Sequence, residues 1–273
     1  MSVVVRKSLG RQLAALRQAA GVTPSQVAGT KIASTSKLHR LEHGEVSVRL
    51  ETVWALCDLY RASAEAKSRL SSMALNTAQN GWWEGFSDLL VSPHFGTYVE
   101  LESAADELLA WEGELVHGLL QTPEYTAAVF DANPFPTRSA EDRRRQVEFR
   151  QERQRTVLDR ARPIRLSFVL GEGTLLREIG GPTVLDRQRQ HLLRIGQRPS
   201  VDISVLTWRA GAHALMRGSL HILGFDDSDV PDVVYVEGVL GGRYEEASAT
   251  VSAQRAKYHL VRASATPIEE YLT

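Results

Sequence analysis

From Ser34 to Arg40 the sequence Ser-Thr-Ser-Lys-Leu-His-Arg gathers hydroxyls, an ammonium, an imidazole and a guanidinium around one apolar residue. In a helix from Thr35 to His43, Leu38 and Leu41 turn inward while Thr35, Ser36, Lys37, His39 and Arg40 project outward. Hydroxyls and cations on an exposed helix can hold the phosphates of double-stranded DNA or read its base edges. Ser34, as N-cap, leaves the helix N-terminus open to a phosphate. Thr23 and Ser25, at the start of the preceding short helix, add two hydroxyls. Arg40 has a second use, pairing with Glu42 or a neighbour. His39 and His43 lie one turn apart, but no Cys or acid nearby completes a metal set, and neither a metal nor another cofactor is expected.

A second group lies further along the chain. Arg150 and Arg153 sit in the basic run Arg143–Arg155, interleaved with Glu148 and Glu152 and preceded by Glu141 and Asp142. The run reads either as a salt-bridged helix face or as guanidinium forks for a ligand or partner. Trp82, Trp83 and Trp111 read as core or as pocket lining. Glu172, just past one β-branched run, and Glu237, inside another, can face a crevice at one sheet end, where ligands bind in α/β sheets. With His213 and His221 they would make an acid/base set for hydrolysis. No nucleophile elbow or metal spacing accompanies them, so the chain is not expected to be an enzyme. Gly171-Glu-Gly173 lacks the remaining residues of a phosphate loop.

The elements that must position these groups follow from periodicity and capping. Leu9, Leu13, Leu16 and Ala20 form one helical stripe, which Gly21 ends. Thr23 caps a second helix, with Pro24 at its first position. Ser34 caps the third and Gly44 stops it. Val53, Leu56, Cys57 and Tyr60 mark a fourth helix; Leu70, Met73 and Thr77 mark a fifth. Gly81-Trp-Trp-Glu-Gly85 reads as a boundary. Helices are expected at about Leu101–Trp111, Pro123–Phe130 and Ala140–Arg160, with a Pro-rich loop at 133–136. After Pro163 the period changes. Ile164–Leu170, Val201–Thr207, Leu220–Phe225 and Val233–Val239 read as strands, and Thr183–Ile195 as a helix. The expected architecture is an all-α five-helix helix-turn-helix domain over residues 1–80 and an α+β domain over 81–273. The latter has a helical part, 81–162, and a part, 163–273, with a small mixed sheet of about four strands and a right-handed crossover.

Charge supports this division. Residues 1–80 carry 11 Lys and Arg against 5 Asp and Glu, while residues 81–273 carry 21 against 28, within a net charge of −1. A basic module on an acidic body points to an anionic partner for the N-terminal part. At 43% hydrophobic and 24% charged residues the chain can bury a core. The single cysteine, Cys57, excludes an internal disulfide and a thiolate zinc cluster, and its apolar neighbours make it a core thiol. With no signal-like start and no apolar run near 20 residues, a cytoplasmic protein without a membrane partner is expected.

Residues 8–60 resemble the XRE (Cro/C1-type) helix-turn-helix regulators through Ala20-Gly-Val-Thr23 and Ser34-Thr-Ser-Lys-Leu-His-Arg-Leu-Glu-His-Gly44. The body resembles one actinobacterial branch of these regulators, whose second domain has unknown function. It does so through Gly81-Trp-Trp83, Tyr98 with Glu102, Gly118-Leu-Leu-Gln-Thr-Pro-Glu-Tyr125, Arg150 with Arg153-Gln154, Glu172 with Leu175, and Val234-Tyr-Val-Glu237. The resemblance implies a transcriptional regulator, often encoded beside a small partner protein. The departures are Pro24-Ser25 for the usual Gln-Glu, Lys31 for Leu, Ile32 for the turn glycine and His117 for proline. Ile32 is expected to take a core role, with Gly29 absorbing the kink. Homodimerisation is expected, since one recognition helix covers only a few base pairs. The readings carried forward are a regulator sensing a ligand or small partner protein, an antitoxin-like interaction module, and a hydrolase.

Overall fold

The computed structural model describes residues 3–46, 48–78, 85–86, 93–132, 139–227, 230–238 and 241–273. Contacts divide them into two units, Met1–Glu84 and Gly85–Thr273.

The first unit is helical: α1 (Val3–Ala19), α2 (Pro24–Gly29), α3 (Thr35–Glu42), α4 (Leu50–Leu59) and α5 (Ala64–Ala78). Its core contains Leu9, Leu13, Val27, Leu38, Leu41, Leu56, Cys57 and Leu70. Gly21 and Gly44 take the left-handed conformation past α1 and α3, which costs glycine nothing. The turn between α2 and α3 differs from expectation. Lys31, not Gly29, takes the positive φ, at 63°. Thr30 closes α2 by donating its hydroxyl to Val27 O at 2.6 Å, Lys31 then reverses the chain, and Ile32 packs on the core as expected.

Gly10 sets how closely α1 approaches α3. A Cβ there would lie 2.4 Å from Leu41 O and 2.6 Å from Glu42 O. Arg17 fixes the same contact by donating to both carboxylate oxygens of Glu42, at 2.6 and 2.9 Å. Arg6 Nε adds a bond to Gly44 O at 3.2 Å.

The second unit runs α6 (Pro93–Ala104), β1 (Glu107–Glu112), α7 (Pro123–Asp131), α8 (Ala140–Leu158), β2 (Arg165–Gly171), α9 (Pro182–Gly196) and β3 (Val201–Leu206). It continues with β4 (Leu220–Gly224), β5 (Val233–Gly238), β6 (Gly241–Glu245), α10 (Ser248–Ala263), β7 (Thr266–Pro267) and α11 (Ile268–Leu272). The described residues build one seven-stranded sheet, ordered β6-β5-β4-β1-β2-β3-β7. Strands β1, β2 and β3 are parallel; the other pairings are antiparallel.

The sheet therefore has seven strands where about four were expected. The four expected runs are β2 to β5. The helix expected over 101–111 is instead the end of α6 followed by β1. After Ala105 N–H closes α6 on Leu101 O, Asp106 N–H bonds Gly224 O and hands the chain to the sheet. Strand β1 is central, with Leu108, Leu109, Ala110 and Trp111 all buried. Such a run has no alternation, and its Leu and Ala suit a helix equally well. Strand β6 begins Gly-Gly, and β7 has only two residues; neither carries a strand pattern.

Candidate nucleic-acid interface and ligand cavity

On α3, Leu38 and Leu41 are buried while Thr35, Ser36, Lys37, His39 and Arg40 are all exposed. The Ser34 hydroxyl accepts from Lys37 N–H at 3.2 Å. One first-turn donor is thus already satisfied, so the N-terminus is less open than the sequence implied. Thr23 is spent locally in a capping box with Gln26, whereas Ser25 is exposed. Of the two partners considered for Arg40, Glu42 is taken by Arg17, and Arg40 pairs instead with a neighbour, Glu45, at 3.7 Å. His39 and His43 stack with ring centroids 4.0 Å apart.

In the second unit the parallel strands β1, β2 and β3 end at Glu112, Gly171 and Leu206, and a cavity of about 1080 Å³ opens at these ends. Such crevices are where α/β sheets take ligands. Trp111, Phe130, Phe149 and Leu206 supply apolar wall, and Arg150, Arg153, His117, His221 and Glu237 supply polar groups.

One wall is a buried polar chain. Arg153 Nε and Nη2 donate to Glu102 at 2.6 and 2.7 Å. Burial opposes the Arg153 charge, but Glu102 outweighs it and drives the guanidinium pKa further up. Tyr98 O–H donates to the same carboxylate at 3.0 Å and lies 3.4 Å from His117 Nε2. His117 Nδ1 accepts from Leu119 N–H at 3.2 Å, which leaves the ring proton on Nε2, facing Tyr98. Burial, reinforced by the charges of His221, Arg153 and Arg150, holds His117 well below the usual histidine range.

His221 Nε2 pairs with Glu112 Oε1 at 2.9 Å, and its Nδ1 is buried with no partner. Glu112, His117 and His221 place donor atoms within 4.8 Å of one another. The Leu119 bond uses the one lone pair of neutral His117, which leaves that ring no free donor atom for a metal, while His221 and Glu112 pair with each other.

Arg150 differs from Arg153, one helical turn on. It is half-buried on the cavity wall and, among the described residues, makes no hydrogen bond or ion pair; its Nε is buried without an acceptor. Its guanidinium lies 5.8 Å from the Phe130 ring. Burial, followed by the Arg153 charge, pushes its pKa down to about 10. It reaches this place only because residue 118 is glycine: a Cβ there would lie 1.7 Å from Arg150 Nη1.

Residues 8–70 match a family model described as a helix-turn-helix domain, and residues 95–271, more than half of the chain, match the domain of unknown function DUF5753. The chain belongs to the DUF5753 family. No curated protein and no solved structure matches it. The DUF5753 region contains the whole sheet and every residue lining the cavity, and the helix-turn-helix match contains the exposed face of α3. Among the described residues, no helix is long and apolar enough to cross a membrane.

Of the residues singled out from the sequence, the DUF5753 cavity brings together Trp111, Arg150, Arg153, Glu237, His213 and His221. Glu172 is not among them. It accepts from Trp208 N–H at 2.7 Å and Tyr271 O–H at 3.0 Å, fixing the turn after β3. Trp82 and Trp83 lie outside the described residues. Sequence reasoning assigned no role to Glu112, Phe149 or His117. His117 alone left a signal, a histidine where proline is usual, and its role there is to cap the turn at 118–120 and meet Tyr98.

Proposed function

We propose that this chain is a sequence-specific DNA-binding transcriptional regulator whose DUF5753 region senses a small molecule. The helix-turn-helix match and the five exposed polar residues of α3 support the DNA-binding half. The observation that carries the sensing half is the cavity at the ends of β1, β2 and β3, apolar in its walls with a few fixed polar groups, the usual make-up of a ligand site. The finer assignment to the actinobacterial XRE branch, a cytoplasmic setting and homodimeric binding over two half-sites belong to the same proposal. Two half-sites about one helical turn apart supply the specificity that one short helix lacks.

The reading is non-catalytic. Among the described residues no Ser, Thr or Cys hydrogen-bonds His117 or His221, so the nucleophile–base contact that covalent hydrolysis needs is not formed. A recessed cavity also suits a small molecule better than the flat contact surface of a partner protein. The test is genome-wide binding of the tagged full-length chain, then operator titration with fractionated cell metabolites. A fraction that shifts operator affinity at least fivefold supports the reading. Full operator control by residues 1–80 fused to an unrelated dimeriser overturns it.

A further inference from the structure

Arg150 is a cation at a cavity with no ion-pair partner among the described residues. Its neighbour Arg153 shows how the same helix treats a structural guanidinium: two short bonds to Glu102, with the rings of Phe95 and Tyr98 5.4 and 5.2 Å away. Among the described residues Arg150 has only longer-range attraction, from Glu102, Glu237 and Tyr98, against repulsion from Arg153. An unpaired guanidinium in such surroundings is costly unless something completes it. The groove that admits it depends on the missing side chain of Gly118. Phe130 beside it, and Trp111 and Phe149 elsewhere in the cavity lining, offer apolar surface to a ring or aliphatic body.

We infer that the cavity takes a small organic acid, a carboxylate or phosphate monoester, whose anionic group is held by Arg150 and whose apolar body lies against Trp111, Phe130 and Phe149. This rests on the sensing reading above and names its ligand class. Arg150 presents a planar fork that matches either anion. A metal cation is the wrong occupant, since Arg150 and Arg153 would both repel it.

The test uses the full-length chain and matched probe pairs: benzoate, phenylacetate, 2-naphthoate and phenyl phosphate against benzamide, phenylacetamide, 2-naphthamide and phenol. Calorimetry and Trp fluorescence read binding. At least one acid is expected to bind ten times more tightly than its neutral partner. Arg150→Met abolishes that preference and raises the thermal midpoint of the free protein; a structural role would lower it. Arg150→Lys retains part of the preference, and Gly118→Ala, which displaces the guanidinium, loses it. The carboxylate and phosphate arms separate the two anion sources. Equal binding of acids and neutral partners, acid binding indifferent to Arg150→Met, or no binding by any acid overturns the inference. Acid binding at Arg150 with unchanged operator affinity keeps the anion site and overturns sensing; neutral ligands that alter operator affinity do the reverse.

Discussion

Arg153 and Glu102 meet in a two-bond fork, 2.6 and 2.7 Å, with side chains 2% and 0% exposed. The two residues come from α8 and α6, so the fork ties the helix carrying Arg150 to the helix carrying Tyr98. It also divides labour on α8: Arg153 is committed to the protein and Arg150 is not.

Breaking that fork from one side is expected to be severe. Glu102→Gln leaves a buried guanidinium without its counter-charge and should cost about 3–5 kcal/mol of stability. The double variant Glu102→Leu with Arg153→Met should recover much of the loss, because both charges leave together. Urea unfolding of the three proteins checks this, and a single variant as stable as the parent contradicts it.

Stability should fall as the medium is acidified below about pH 6.5. Burial holds His117 neutral in the folded state, while the unfolded ring titrates near 6.5. Below that pH the unfolded chain binds a proton that the folded chain refuses, and each pH unit favours unfolding by up to about 1.4 kcal/mol. Above about pH 7.5 the effect vanishes. His191 and His213, also lowered by burial, add to the slope. His117→Asn should flatten the profile between pH 7.5 and 5.5; an unchanged profile would count against this account.

Two glycines in the first unit should respond in opposite directions. Gly10→Ala gains helix propensity but drives a Cβ to 2.4 Å from backbone oxygen, so a net loss of about 1–3 kcal/mol is expected. A Cβ at Gly29 would meet nothing within 4 Å, and Gly29 has no positive φ, so Gly29→Ala should be neutral or stabilising by up to about 1 kcal/mol. Thermal melts of both variants distinguish contact from propensity.

Operator binding should depend on the exposed face of α3. Lys37→Ala is expected to cost about 1–3 kcal/mol if it reads a base and less if it holds a phosphate. In a mobility shift, the combined Thr35→Ala and Lys37→Ala variant should lose most affinity, and binding should weaken steeply with salt. Full affinity in that variant removes α3 as the reading element.

Helices α1 to α3 were legible because Gly21, Thr23-Pro24, Ser34 and Gly44 punctuate them locally, and α4 and α5 through their apolar spacing. The turn was not, because Lys31 adopts its left-handed conformation under tertiary constraint while a glycine stood two residues away. Strands β2 to β5 were legible from β-branched runs. Strand β1 was not, since burial on both faces erases alternation. The same blindness hid the site. Arg150 and Arg153 look alike in a charged helix, and only the fold shows that one is paired with Glu102 and the other faces a cavity.

The central position of β1 also bears on how the chain is made. Its two neighbours are β2, soon to follow, and β4, which is far away: Glu112 and His221 are 109 residues apart. At roughly 5–20 residues per second of synthesis, that interval lasts roughly 5–20 s. Throughout it the edge of β1 that takes β4 stays open, and until β2 is made both edges do. The nascent DUF5753 region is therefore expected to need chaperones during translation, and slowing elongation between codons 112 and 221 should raise its aggregation.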